Sequence, residues 1–355
     1  MNERVSTAPT RAPRIVDVAS LAGVSAMTVS RVLNRQGKVS ESTCQRVEAA
    51  MAALNYIPSP AARSLAGVNS IRLGLLCNNL SAYLSDFLLG SLEQAGRIDA
   101  QLVVEKCQIG DHEADIARHL VRSGVDGVIL PPPLCDSQAV LDVLQAAGIP
   151  VVVVASAAPA DNVLAVMIDD FQASFAMTSH LLALGHERIG FIGGDPNQTT
   201  SQRRFAGYCA ALESEGIACD DRLIAKGLFT YRSGLDATEI LLDAAVSPSA
   251  IFASNDDMAA AAVAVAHRRG LDVPADLTVC GFDDTPIATT IWPALTTIHQ
   301  PTAAMARVAV ELLGTAVRGL PMGEGGHHRL MDFTLVRRQS DSAPRRRPLM
   351  RLATG

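Results

Sequence analysis

The sequence predicts a two-part protein: an N-terminal all-α helix-turn-helix head followed by an α/β body of two doubly wound parallel-sheet lobes. Three observations predict it. Ile15 to Asn34 carries two short helical apolar stripes broken at Gly23. From Ile71 onward, short apolar runs alternate with amphipathic helical stretches, the pattern of parallel sheets covered by helices. The body of about 280 residues exceeds one ordinary domain, which predicts two lobes.

In the head, Ile15, Val18, Ala19 and Ala22 fall at the i, i+3, i+4, i+7 spacing of one helix face. Gly23 permits a tight turn and Ser25 can cap a second helix. There, Val29, Val32 and Leu33 form the inner stripe. Ala26, Met27, Thr28, Ser30 and Arg31 are left facing outward. Such a pair is an ordinary helical hairpin or a helix-turn-helix whose second helix enters a DNA major groove. Ser40 can cap a third helix, Glu41 to Leu54, with Val47, Ala50, Met51 and Leu54 inward.

Ser59-Pro60 and Gly67 bracket a very short helix, with Ser at the cap and Pro at the first position. Nucleation makes so short a helix marginal alone. It is a plain linker, or a segment that coils only when held. These boundaries predict a helix-turn-helix DNA-binding domain over 1–58, a short connecting segment over 59–68, a two-lobed α/β body over 69–339 and a disordered basic tail over 340–355.

Strands are expected at Ile71–Cys77, Gln101–Glu105, Gly127–Leu130, Val151–Val154, Ile189–Ile192, Ala250–Ala253 and Thr278–Gly281. Helices are expected at Asp86–Ala95, Glu113–Arg122, Gln138–Ala147, Phe171–Leu184, Ser201–Glu213, Leu235–Ala244 and Met258–Arg269.

Charge separates the two parts. Net charge is −6, yet residues 1–67 carry eight Lys/Arg against four Asp/Glu, leaving the rest at −10. A basic head on an acidic body suits a head that meets phosphate. Seven scattered cysteines, an odd number without metal-knuckle spacing, read as small buried hydrophobes in a reduced compartment. No apolar run reaches the ~20 residues of a membrane span. The polar Met1–Arg14 stretch carries no signal-type apolar core. A cytoplasmic location is therefore expected, with no membrane, cofactor or metal. Gly-x-Gly-x-x-Gly after the first strand, Gly-x-Ser-x-Gly and metal-spaced His or Cys are all missing, so no enzyme is expected.

Several motifs resemble the LacI/GalR family of bacterial transcriptional regulators. They are Asp17-Val18-Ala19, Ala22-Gly23-Val24-Ser25, Thr28-Val29-Ser30-Arg31-Val32-Leu33-Asn34, Leu54-Asn55-Tyr56-Ile57-Pro58 and Leu65-Ala66-Gly67. In the body they are Leu184-Gly185-His186-Glu187-Arg188-Ile189, Asn255-Asp256, Gly281-Phe282-Asp283-Asp284 and Pro293 through Pro301. The likeness covers about residues 14–339. It implies a dimeric repressor of a palindromic double-stranded operator. Its body would be similar to periplasmic sugar-binding proteins and hold a small effector, a carbohydrate, between lobes.

The resemblance assigns base reading to Ala26, Met27 and Arg31. Arg can bond guanine twice, while Ala and Met offer only apolar contact. Thr28 and Ser30 suit phosphate. Asn34 and Tyr56 join them through their motifs, and Leu65 matches a hinge leucine that wedges into the minor groove. On the effector side it assigns Tyr83, Leu84, Arg204 and Phe229, with Asn255 and Asp283 at the C-terminal ends of strands where open α/β sheets bind ligands. Gln172 is the nearest candidate for a polar residue expected after Asp169-Asp170. Cys77-Asn78-Asn79-Leu80 departs from the proline-containing loop of the family. A tail without leucine heptads implies no tetramer. Two alternatives stay open: a sugar-binding or sugar-processing protein without a DNA role, and a regulator whose ligand tightens DNA binding.

Overall fold

The computed structural model describes residues 14–33, 39–54, 70–78, 81–108, 110, 112–322 and 326–345. The chain divides between Ser70 and Ile71 into two compact units. The expected hinge, with Leu65, lies outside the described residues, as do Asn34 and Tyr56.

The first unit holds α1 (Ile15–Ala22), α2 (Ala26–Leu33) and α3 (Glu41–Ala53). Val18, Ala19, Ala22, Val29, Val47 and Ala50 form its buried core, flanked by Ile15, Val32, Met51 and Leu54. The first two axes meet at 96°, within the range of a helix-turn-helix. Gly23 sits at φ 65°, and its N–H caps the carbonyls of Ala19 and Ser20. A side chain there would be strained by that left-handed backbone. Ser25 Oγ accepts from the Thr28 N–H at 3.1 Å. Ser40 does not cap α3 through its side chain. Its hydroxyl pairs with those of Ser42 and Thr43 at 3.2 and 2.8 Å, which satisfy it instead.

The second unit contains two parallel sheets. The first has β1 (Ile71–Cys77), β2 (Ala100–Lys106), β3 (Gly127–Leu130), β4 (Val151–Val154), β5 (Leu164–Ile168) and β11 (His328–Met331), in the order β11-β5-β4-β3-β1-β2. The second has β6 (Ile189–Gly193), β7 (Ile224–Lys226), β8 (Ala250–Ala253) and β9 (Thr278–Cys280), in the order β7-β6-β8-β9. An antiparallel pair, β10 (Thr297–His299) and β12 (Thr334–Val336), continues beside the second sheet through bridges at Cys280–Thr296 and Asp283–His299.

Helices α4 (Ala82–Arg97), α5 (Glu113–Arg122) and α6 (Gln138–Ala146) belong to the first lobe. The second lobe has α7 (Asp170–Ala183), α8 (Thr199–Ser214), α9 (Tyr231–Asp243), α10 (Asp256–Arg268) and the single turn α11 (Ile287–Thr290). The chain then returns: α12 (Thr302–Val317) packs against α4, where a β-carbon on Gly90 would meet the Ala303 carbonyl at 2.4 Å. The chain therefore crosses between lobes three times, after β5, before α12 and after β11. Aromatic packing anchors the second sheet, with Phe191 stacked on Tyr208 at 4.8 Å and edge-on to Phe252.

Every strand and helix expected of the head and body is present, while the short helix expected over Ser59–Gly67 lies outside the described residues. Unforeseen were β5, β7, β10, β11, β12, the single turn α11 and the returning helix α12. The tail boundary needs correction. Ser340 and Asp341 are buried. Asp341 accepts from His180 Nε2 at 2.8 Å, Thr296 Oγ1 at 2.5 Å and Arg337 Nε at 3.0 Å. Ser340 hydrogen-bonds both Val279 and Thr296. These bonds extend the packed body beyond residue 339. Among the described residues, no single helix is long and apolar enough to cross a membrane.

Candidate functional site

On the head, the outer surface of α2 carries the candidate DNA contacts. Met27 is 66% exposed, which removes it from the core. Arg31 is exposed, so its five N–H donors face solvent. Ala26 is half-buried and packs against the head core rather than standing clear. Thr28 and Ser30 are also half-buried, and the Thr28 hydroxyl shares a hydrogen bond with that of Ser25 at 2.9 Å. One cationic fork beside one flexible apolar knob can read a guanine edge and a neighbouring methyl.

In the second unit, a cavity of about 260 Å³ lies between the lobes. Its wall is built from segments following strands. Tyr83 and Leu84 open α4 after β1, Phe229 follows β7, Asn255 follows β8, Asp283 follows β9, and Gln300 follows β10. Arg204 enters from α8. Helix N-termini and strand C-termini converge here because parallel strands release their connections at one edge.

Arg204 is the hub. Its Nε donates to Asp170 Oδ1 at 2.7 Å and its Nη1 to the Ser254 carbonyl at 2.5 Å. Asp283 Oδ1 lies 3.6 Å from Nη1. The guanidinium stacks 3.6 Å above the Phe282 ring, a desolvated cation–π contact. Asp283 also accepts from Gln300 Nε2 at 2.6 Å. Burial raises the Asp283 carboxyl to about 7, opposed by Arg204 and Gln300 and helped by Asp170 and Asp257. Asp256 behind it is fully buried and is raised to about 8, chiefly by desolvation and then by Asp283. Burial likewise raises Asp170 against the pull of Arg204. The site thus gathers three carboxyl groups around one arginine, and burial opposes ionising all three at once.

Three lining side chains keep a buried polar atom without a hydrogen-bond partner: Asn78 Oδ1, Tyr83 Oη and Gln300 Oε1. Such atoms are costly unless something completes them. Asn255 is already engaged. Its Oδ1 caps α10 through the Met258 N–H and its Nδ2 donates to the Phe229 carbonyl, both at 3.0 Å. Phe229 stands at φ 57°, and a β-carbon on Gly194 would fall 2.0 Å from its ring. Gly194 therefore makes room for that ring.

Tyr83, Leu84, Arg204, Phe229, Asn255 and Asp283 all line the cavity, and Gln172 does not. Gln172 is exposed, and its N–H is capped by Asp169. Its neighbour Asp170 turns inward to Arg204, since two positions along a helix reverse the facing. Sequence reasoning missed Asn78, Asp170, Ser254 and Gln300. Asn78 directly follows an apolar strand, a signal that could have found it. Gln300 sits inside the quoted Pro293–Pro301 motif. Among the described residues, no group of three or more His, Cys, Asp or Glu is placed to hold a metal ion.

Residues 14–59 match the family of bacterial regulatory proteins of the lacI type, and residues 178–340 match the periplasmic binding protein-like domain. The chain is 34% identical over 339 residues to the HTH-type transcriptional regulator AscG of Escherichia coli, covering 94% of this chain and 99% of AscG. Among solved structures, it resembles the lac repressor dimer bound to operator and the anti-inducer ONPF. That match has a TM-score of 0.78 and 30% identity, covering 94% of this chain and all of that one. The complex of the transcriptional regulator CelR with cellobiose matches with a TM-score of 0.72 and 30% identity, covering 93% of this chain and all of that one.

Proposed function

Since this chain belongs to the lacI family of bacterial regulatory proteins, we propose that it is a ligand-controlled repressor of transcription. As a homodimer it binds a palindromic double-stranded operator. Each head presents Arg31 for base reading and Met27 for apolar contact, with Thr28 and Ser30 on phosphate. Asn34, Tyr56 and the Leu65 wedge complete that contact set. The effector is a sugar or sugar derivative held between the lobes. Its binding shifts the body toward a state with lower operator affinity, and the segment Ser59–Gly67 carries that change to the head.

One observation supports the carbohydrate most: the chemistry of the cavity wall. Unpaired Asn78 and Gln300 oxygens, a carboxylate at Asp283, donors at Arg204 and Tyr83, and an apolar plate at Phe229 form the set a polyol ring demands. CelR, solved with cellobiose, favours the same class. The protein works without catalysing a reaction and acts in the cytoplasm, where its DNA lies.

Two measurements test this reading. Selection of bound duplexes from a random DNA library should return an inverted repeat, with affinity falling steeply with salt. A thermal-shift screen of mono- and disaccharides against nucleobases should favour the saccharides. No enriched repeat would remove the DNA role, and stabilisation by nucleobases alone would remove the sugar.

A further inference from the structure

Cys209 and Cys219 come together although the sequence scatters the cysteines. Cys209 lies on α8 and Cys219 in the connector that leads to β7. Their sulfurs are 2.6 Å apart, both residues are half-buried, and both are free thiols. A movement of about half an ångström would bring them to the ~2.05 Å of a disulfide. Cys77, Cys107, Cys135 and Cys280 are buried, and Cys44 belongs to the other unit. We propose that Cys209 and Cys219 form an oxidisable dithiol, a modification site that closes to an intramolecular disulfide under a peroxide oxidant.

The chemistry balances with hydrogen peroxide. One thiolate attacks a peroxide oxygen, the O–O bond breaks, water leaves and a sulfenic acid forms. The second sulfur displaces that hydroxyl, forming the S–S bond and releasing a second water. Two sulfurs are oxidised by one electron each, and the peroxide oxygens take both.

Position gives the bond a consequence. Arg204 is five residues before Cys209 on the same helix, and Phe229 follows the strand that Cys219 leads into. The disulfide ties together the two elements that bring a cation and an aromatic plate to the cavity. The surroundings set the pace. Burial, then Cys219, Glu213 and Asp221, push the Cys209 thiol well up. Since the thiolate is the nucleophile, the reaction is slow near neutral pH and quickens in alkali.

The test uses the full chain freed of reductant. It is treated with hydrogen peroxide at pH 7, 8 and 9, alkylated, digested and mapped by mass spectrometry. The expected result is a cross-linked peptide pair joining Cys209 to Cys219, 2 Da lighter than the sum of the two thiol peptides. It should form faster at higher pH, be reversed by a thiol reductant and raise the melting temperature by a few degrees. Cys209→Ser should lose the cross-link and the shift. Recovery of both cysteines singly alkylated, or of Cys209 as sulfinic acid with Cys219 free, would overturn the proposal without recourse to the variant.

Discussion

The Asp136 carboxylate accepts from the Thr199 backbone N–H at 2.9 Å and from its hydroxyl at 3.0 and 3.1 Å. Asp136 precedes α6 in the first lobe, and Thr199 opens α8 in the second. The carboxylate therefore satisfies an otherwise open N–H at the positive end of the helix that carries Arg204. Ser156 Oγ donates to Asp136 at 2.7 Å, and the Ala157 N–H donates to Thr199 Oγ1 at 2.8 Å. A fully paired polar cluster thus holds the lobes together beside the cavity.

Asp136→Ala should lower the melting temperature by several degrees, since the lost bonds to a charged acceptor are worth about 1–3 kcal/mol each. It should also weaken saccharide binding several-fold, because the lobe arrangement that grips ligand becomes less populated. Differential scanning fluorimetry and calorimetry read the two effects. Unchanged values in both would deny the latch its role.

Arg31→Ala should relax preference at one base pair per half-site, costing about 1–3 kcal/mol of discrimination. Met27→Ala should cost less, having no hydrogen bond to lose. Competition gel shifts with single-base operator variants compare them. Equal loss at every position would make Arg31 a phosphate contact instead.

Saccharide binding should release protons. Asp283 titrates at about 7 in the ligand-free chain. Ligand hydroxyls donating to it favour the ionised form and lower that value. Affinity should therefore rise with pH from about 6 to 8 and level off above. The facing groups Arg204, Asp170, Asp256 and Asp257 shape the curve. Calorimetry in buffers of different ionisation enthalpy measures the release, and Asp283→Asn should abolish it. Proton uptake across this range would refute the assignment.

Gly194→Ala should drive the Phe229 ring out, because the new methyl would stand 2.0 Å from ring carbon Cζ. We expect at least a tenfold loss of saccharide affinity with operator affinity unchanged within twofold. Wild-type saccharide binding would show that the ring is not a ligand plate.

Most of the body was legible because strand–helix alternation is local, and Val151–Val154 or Ala250–Ala253 announce buried parallel strands by composition alone. What escaped depends on distant partners. β10 and β12 are three residues each and exist through one another. α12 departs from the lobe that precedes it, burying Met305, Ala309 and Leu313 in the first lobe and packing on α4 where Gly90 leaves room for Ala303. Ser340 and Asp341 look like the start of a polar tail until Thr296, His180 and Val279 are brought to them. In the cavity, residues at strand ends could be placed by topology. Asp170 could not be preferred over Gln172 without knowing the rotation of its helix, and Ser254 contributes a carbonyl that no side-chain motif reports.

Reciprocal titration tests the control mechanism most directly. The saccharide that gives the largest thermal shift is titrated into the chain with and without saturating operator, and operator is titrated with and without saturating saccharide. Linkage requires both affinities to change by one common factor, and at least fivefold weakening is expected in each direction. Saccharide bound equally well in both states, with operator affinity unmoved, would rule out control of the head by the cavity.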